Sequence, residues 1–209
     1  ITLGDYVDRG PDSKAVIERL IALKEQCNHI PIMGNHELML MRAIGGKDDL
    51  RHWLMLGGAQ TIKSYGHPSP MFIEKDEIKT TIPYQHMSFL AECLPFWEDD
   101  KNIFVHANYD PNTPMDQQQE QLTFWTHLQR HIPEPHQSGK IAWVGHSPQR
   151  GGRVLDLGHI VCVDTCVFRP DEDGWLTAMD VDTREIWQAN ELGDLRDPGC
   201  DTQICDTDE

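Results

Sequence analysis

Apolar positions fall along this chain in two rhythms. Behind Asp12 or Ser13, either of which can cap a helix, Val16, Ile17, Leu20, Ile21 and Leu23 recur at nearly helical spacing. Short unbroken runs, "ITL" at 1–3 and "HIPIM" at 29–33, predict strands instead. Each runs through a glycine-flanked polar loop into helical text, so strand, loop and helix occur twice in the same order. The stretch from Gly45 to Asp100 is mostly helical, broken by "GHPSP", and reads as a cap over a sheet. Two further apolar strands follow in "NIFVHAN" and "IAWVGHS". After them "RVLDLG", "HIVCVDT", "WLTAMDV" and "EIWQA" show the alternation of consecutive antiparallel strands. The acidic end, 191–209, has too few large apolar residues to pack and reads as a flexible tail behind a single domain over 1–190.

What stands just beyond the apolar runs matters more than the runs. In sheets flanked by helices, ligands collect at the carboxyl ends of strands. Four runs here deliver polar residues at that position: Asp5 after "ITLG", Asn35 and His36 after "IPIMG", His106 after "IFV" and His146 after "AWVG". One carboxylate, one amide oxygen and two imidazoles form a nitrogen and oxygen ligand set suited to Mn²⁺, Fe or Zn²⁺. Because an amide adds no charge, Asn35 would leave the metal a stronger Lewis acid than a second carboxylate would. Asp8 and Arg9 are not needed to hold a metal. Arg9 offers a planar fork matched to two phosphoryl oxygens, and Asp8 is placed to accept a hydrogen bond from an imidazole, His36 first of all.

Composition narrows the partners. A formal net charge of -16 argues against a nucleic-acid surface, since phosphate backbones are bound mainly through Lys and Arg. No run approaches the apolar length of a membrane span. The six cysteines, Cys27, Cys93, Cys162, Cys166, Cys200 and Cys205, show no CxxC pair and read as thiols of a reducing, cytoplasmic setting. His52, His67, His86, His131 and His136 lie in helical or loop text and are expected to be mostly solvated, and His159 is expected to make a structural hydrogen bond.

"GDYVDRG" from Gly4 to Gly10 and "GNHE" from Gly34 to Glu37 resemble two signatures of the calcineurin-like metallophosphoesterases, and more narrowly of the phosphoprotein phosphatases. "WLMLGGAQTIKSYG", "IPYQHMSFLAECLP", "FVHANYDP" and "VGHSPQ" look like the bacterial branch, which includes serine/threonine phosphatases and symmetrical dinucleoside tetraphosphatases. The resemblance covers residues 1 to about 190. It implies an α/β fold of two packed mixed sheets flanked by helices in four layers, and two divalent metal ions, Mn²⁺ first.

On that resemblance Asp5 bridges the two metals, while Asn35, His106 and His146 complete the second metal site. Asp8 and His36 form the acid pair, and Arg9 with Asn35 contacts the phosphoryl group. The implied reaction is hydrolysis of phosphomonoesters, first of phosphoserine or phosphothreonine in proteins, by in-line attack of a metal-bridging hydroxide. Cleavage of symmetrical dinucleoside tetraphosphates stands as the alternative, and a non-catalytic metal- or phosphate-binding module as the second.

The resemblance has three departures. The GDxHG signature, which would precede "GDYVDRG" and supply the first metal's ligands, is not among these residues, so the sequence reads as cut through a central strand. "LTFWTHLQR", where the family often has another phosphate-binding Arg, holds His127 in the aligned slot and Arg130 one turn on, and the role falls to neither. Asn108 stands where Gly is commoner.

Overall fold

The computed structural model describes residues 1–169 and 173–196. The chain divides into two compact units, Ile1–Pro95 and the part from Phe96 onward.

The first unit is built on helices. Helix α1 (Ser13–Gln26) starts where Asp12 accepts a 3.0 Å hydrogen bond from the Ala15 N–H, filling one of the donors every helix start leaves open. Its Ile17 is fully buried while its neighbour Val16 is exposed, so only a narrow stripe faces inward. Helix α2 (Asn35–Gly45) follows Gly34 and ends at the left-handed Gly46. Next, α3 (Leu50–Trp53) passes through a π turn over Leu54–Gly58 into α4 (Ala59–Ser64), and α5 (Lys75–Thr81) and α6 (Tyr84–Ala91) complete the unit.

The strands expected at 1–3 and 29–33 are reduced to two isolated parallel bridges, Thr2 with Pro31 and Ile32 with Leu94. Thr2 donates to the Ile30 carbonyl at 3.1 Å and accepts from the Ile32 N–H at 2.8 Å. The Thr2 bridge goes no further because the Gly4 N–H turns to the Tyr6 hydroxyl, which itself donates to the Ile32 carbonyl.

The second unit carries both sheets. The larger holds β1 (Phe96–Glu98), β2 (Asn102–Val105), β3 (Ile141–Val144), β4 (Leu155–Asp156) and β5 (Ile160–Cys162) in the order β1-β2-β3-β5-β4. It is mixed: β2, β3 and β5 run parallel, and β1 and β4 are antiparallel edges. Strand β1 lies within the stretch expected to be helical. Asp99 makes it possible by accepting from the Lys101 and Asn102 N–H groups, which closes a tight turn between β1 and β2. Ile103, Val105, Ala142, Val144, Ile160 and Cys162 form the centre of this unit's core. Between β2 and β3 lies the short helix α7 (Glu120–Trp125).

The smaller sheet, β6 (Leu176–Met179), β7 (Ile186–Ala189) and β8 (Leu195–Arg196), is antiparallel throughout. Its turns are too short for anything else, closing with Asp180 N–H on the Glu185 carbonyl and Asn190 N–H on the Asp194 carbonyl. Strand β5 therefore pairs with β3 and β4, and not with β6 as a simple meander would have it. Strand β8 falls at the start of the segment expected as a tail, whose residues 197–209, with Cys200 and Cys205, lie outside the described residues.

Candidate active site

In the first unit the loop from Asp5 to Arg9 is held in an uncommon shape. Asp5, Asp8 and Arg9 all have φ near +60 to +75°, in the left-handed region. For residues other than glycine that costs on the order of 1–2 kcal/mol each, and such strain persists only where the surroundings over-determine it. Glu37, on the first turn of α2, supplies most of that constraint. Its fully buried carboxylate accepts from the N–H groups of Asp5 (2.8 Å), Tyr6 (2.7 Å), Val7 (3.1 Å) and Gly34 (2.8 Å). Burial first, and then the Asp5 charge, push Glu37 up to about 7, while the N–H groups of Asp5, Gly34 and Val7 pull the other way.

Two glycines let the backbones meet. A Cβ on Gly34 would collide with the Asp5 carboxylate and backbone nitrogen. Gly57, at φ +131° in the π turn, receives the Arg9 N–H on its carbonyl at 3.2 Å, and a Cβ there would stand 2.8 Å from the Arg9 nitrogen. Gly57→Ala therefore combines a forbidden conformation with a backbone clash, and is expected to lower stability by about 3 kcal/mol in urea unfolding. A loss below about 1 kcal/mol would show that the loop is not braced on the π turn.

Asp8 is buried, its side chain wholly removed from solvent. One oxygen takes the Trp53 indole N–H at 2.9 Å and lies 2.8 Å from Nδ1 of His36; the other takes the Thr61 hydroxyl at 2.7 Å. The Asp8 N–H is also satisfied, by the hydroxyls of Thr61 and Ser13. His36 is buried, which by itself opposes charge on the ring, but the Asp8 hydrogen bond and the charges of Asp5 and Asp8 outweigh burial and raise its pKa. With Nδ1 committed to Asp8, Nε2 is the atom left for chemistry. The Asp5 carboxylate accepts from the His36 backbone N–H at 3.3 Å, at the positive end of α2. Asn35 is buried at that helix start, and Arg9 is exposed.

In the second unit the parallel pair β2 and β3 carries the two late histidines side by side. His106 directly follows β2, and His146 follows β3 by two residues, with Gly145 N–H donating to the His106 carbonyl at 2.8 Å. His106 Nε2 and His146 Nδ1 lie 3.2 Å apart. With metal–nitrogen bonds of about 2.1 Å, two ligands at 90 to 109° stand about 3.0 to 3.4 Å apart, so the pair fits a shared divalent cation.

The loop carrying His146 is supported from below by Cys162. Its thiol donates toward the Gly145 and Ser147 carbonyls and is pushed up to about 12 by burial. Cys162, Cys166 and Cys93 are buried, whereas Cys27 is exposed. Asn108 is fully buried, bonding the His131 carbonyl and the Tyr109 N–H.

Several residues that hold this site in place carry no role in the sequence reading. Glu37, Trp53 and Thr61 all stand inside the motifs, yet nothing in their spacing says that they grip Asp8 or the loop. Two histidines expected in solvent are buried: His86 against the Tyr65 hydroxyl, and His136 between Ser138 and the Thr113 carbonyl. A ring nitrogen with a fixed partner makes such burial tolerable. His52 and His131 are exposed, and His159 bonds the Leu157 and Pro133 carbonyls.

The chain belongs to the calcineurin-like phosphoesterase family, whose model matches residues 1–178. It is 46% identical over 43 residues to the symmetrical bis(5'-nucleosyl)-tetraphosphatase of Bordetella pertussis, and 50% identical over 44 residues to that of an Acidovorax species. Each match takes in 21% of this chain and spans only 15% of the relative's length. A solved structure described as a "putative diadenosine tetraphosphatase" shares the fold at a TM-score of 0.61 and 18% identity, over 90% of this chain and 78% of that one. Among the described residues no helix is long and apolar enough to cross a membrane.

Proposed function

We propose that the protein hydrolyses phosphoesters with Asp5, Asn35, His106 and His146 as ligands to divalent metal, Arg9 as the phosphoryl clamp and the His36–Asp8 pair as general acid. The observation that carries this reading is the 2.8 Å contact between buried Asp8 and His36, on a loop that also bears Asp5 and Arg9. Metal bound by that donor set, Mn²⁺ first and Fe or Zn²⁺ in its place, two ions in the family pattern, supplies charge stabilisation and an acidified water. The Arg9 guanidinium meets two phosphoryl oxygens at once and orients the group for in-line displacement. His36 gives the proton on Nε2 to the departing oxygen, while Asp8 holds the tautomer and stabilises the imidazolium before transfer. A cytoplasmic setting is supported by the unbridged thiols of Cys27, Cys93 and Cys162 among the described residues.

For the substrate, the names of the matched relatives favour a symmetrical dinucleoside tetraphosphate. Phosphoserine or phosphothreonine in proteins is the second reading, favoured by the acid pair itself, since an alkoxide needs a proton to leave and a nucleoside diphosphate does not. Steady-state rates on diadenosine tetraphosphate and on a phosphoserine peptide rank the two. A higher kcat/KM on the dinucleotide is expected, and a higher value on the peptide would reverse the order.

Asp8→Asn gives a pH test of the pair. His36 is raised above its ordinary value, so its protonated form persists to higher pH and is lost as pH rises through that raised value. Removing the Asp8 charge lowers it, and the descending limb of kcat should move to lower pH. An unmoved limb would detach His36 from proton transfer.

A further inference from the structure

Beside the imidazole pair runs a second segment, matched to it residue by residue. His127 stacks on His146 with ring centres 4.3 Å apart and planes within 22°. One step on, the Leu128 N–H donates to the Ser147 hydroxyl at 2.8 Å. One step further, the Gln129 amide donates to the Pro148 carbonyl at 3.2 Å. Residues 127–129 thus clasp residues 146–148 in register.

The clasp bears on His146 for a geometric reason. His146 presents Nδ1, the nitrogen nearer its own backbone, toward His106, and that backbone sits at a left-handed φ of +58°. Rotation of the ring about Cβ–Cγ would replace Nδ1 by the carbon Cδ2 and end any coordination. Such a rotation must sweep the ring edge through space that the stacked His127 ring fills. His127 itself is half-buried and borders the fully enclosed Leu128, so its own ring is held in turn.

We propose that His127 is a positioning residue for the metal site, fixing through its stack the ring orientation in which His146 faces His106. The proposal rests on the reading of His106 and His146 as ligands. It assigns His127 no contact with substrate.

Calorimetric titration of the whole, metal-stripped protein with Mn²⁺ alone tests both layers. Substitutions of the partners that orient a metal ligand typically weaken binding about 10- to 100-fold, and His127→Ala is expected near the lower figure. His127→Phe keeps the stacking plane and should bind within about threefold of the unsubstituted protein. His127→Leu fills the volume without a plane and should behave like His127→Ala; it also serves if that variant folds poorly. Mn²⁺ affinity unchanged in both His127→Ala and His127→Leu would overturn the proposal. Unchanged affinity with a raised KM would give His127 to the substrate, and overturn it equally. If His146→Ala binds Mn²⁺ as the unsubstituted protein does, the ligand reading itself falls and takes the proposal with it.

Discussion

His36→Ala is expected to lower kcat by about 10²- to 10⁴-fold on an alkyl phosphate, the range that a positioned general acid contributes. The loss should shrink sharply on an aryl phosphate such as nitrophenyl phosphate, whose leaving group departs as a stable anion. Both expectations come from one arrangement. Nδ1 of His36 is tied to a carboxylate that is itself held by Trp53 and Thr61, which leaves Nε2 as the only ring nitrogen able to pass a proton outward. KM should change little, since the proton is needed in the transition state and not in binding. An equal loss on the alkyl and aryl esters would assign His36 to the metal or to phosphate binding instead.

Glu37→Ala should be the most destabilising single change in the first unit, costing about 3–5 kcal/mol in urea unfolding. Four backbone N–H groups would lose a buried charged acceptor together, and each buried donor left unsatisfied costs about 1–3 kcal/mol before the structure relaxes. The three left-handed residues of the loop would lose their brace at the same time. Glu37→Gln keeps one accepting oxygen but turns an amide N–H₂ toward N–H donors, so it should fall between the alanine variant and the unsubstituted protein. A cost under about 1 kcal/mol for Glu37→Ala would mean that the loop holds its shape by other contacts.

Much of the site was legible because the informative residues stand at the ends of apolar runs. The "IFV" and "AWV" runs became β2 and β3, adjacent and parallel, and so the two histidines after them came together at 3.2 Å. The capping role of Asp12 could likewise be read from its place before a helical pattern. What stayed hidden depends on long-range packing. No periodicity says that Trp53 and Thr61 reach back about 50 positions to Asp8, or that Cys162 lies beneath the Gly145–Ser147 loop. Strand β1 was missed because "FWE" is too short to show a period beside long helical text. The bridge at Thr2 fell short of a strand because the Tyr6 hydroxyl stands between the Gly4 N–H and the Ile32 carbonyl, a tertiary contact that an apolar run does not display.

The central claim is that the strand-end residues hold a divalent metal for phosphoester hydrolysis, and chelation tests it most directly. Initial rates on diadenosine tetraphosphate and on an aryl phosphate should fall to background after exhaustive metal removal, and return when Mn²⁺ is added. In the His106→Ala protein the added Mn²⁺ should restore little. Hydrolysis that continues undiminished in the metal-stripped protein, or that Mn²⁺ restores fully in His106→Ala, would contradict the account.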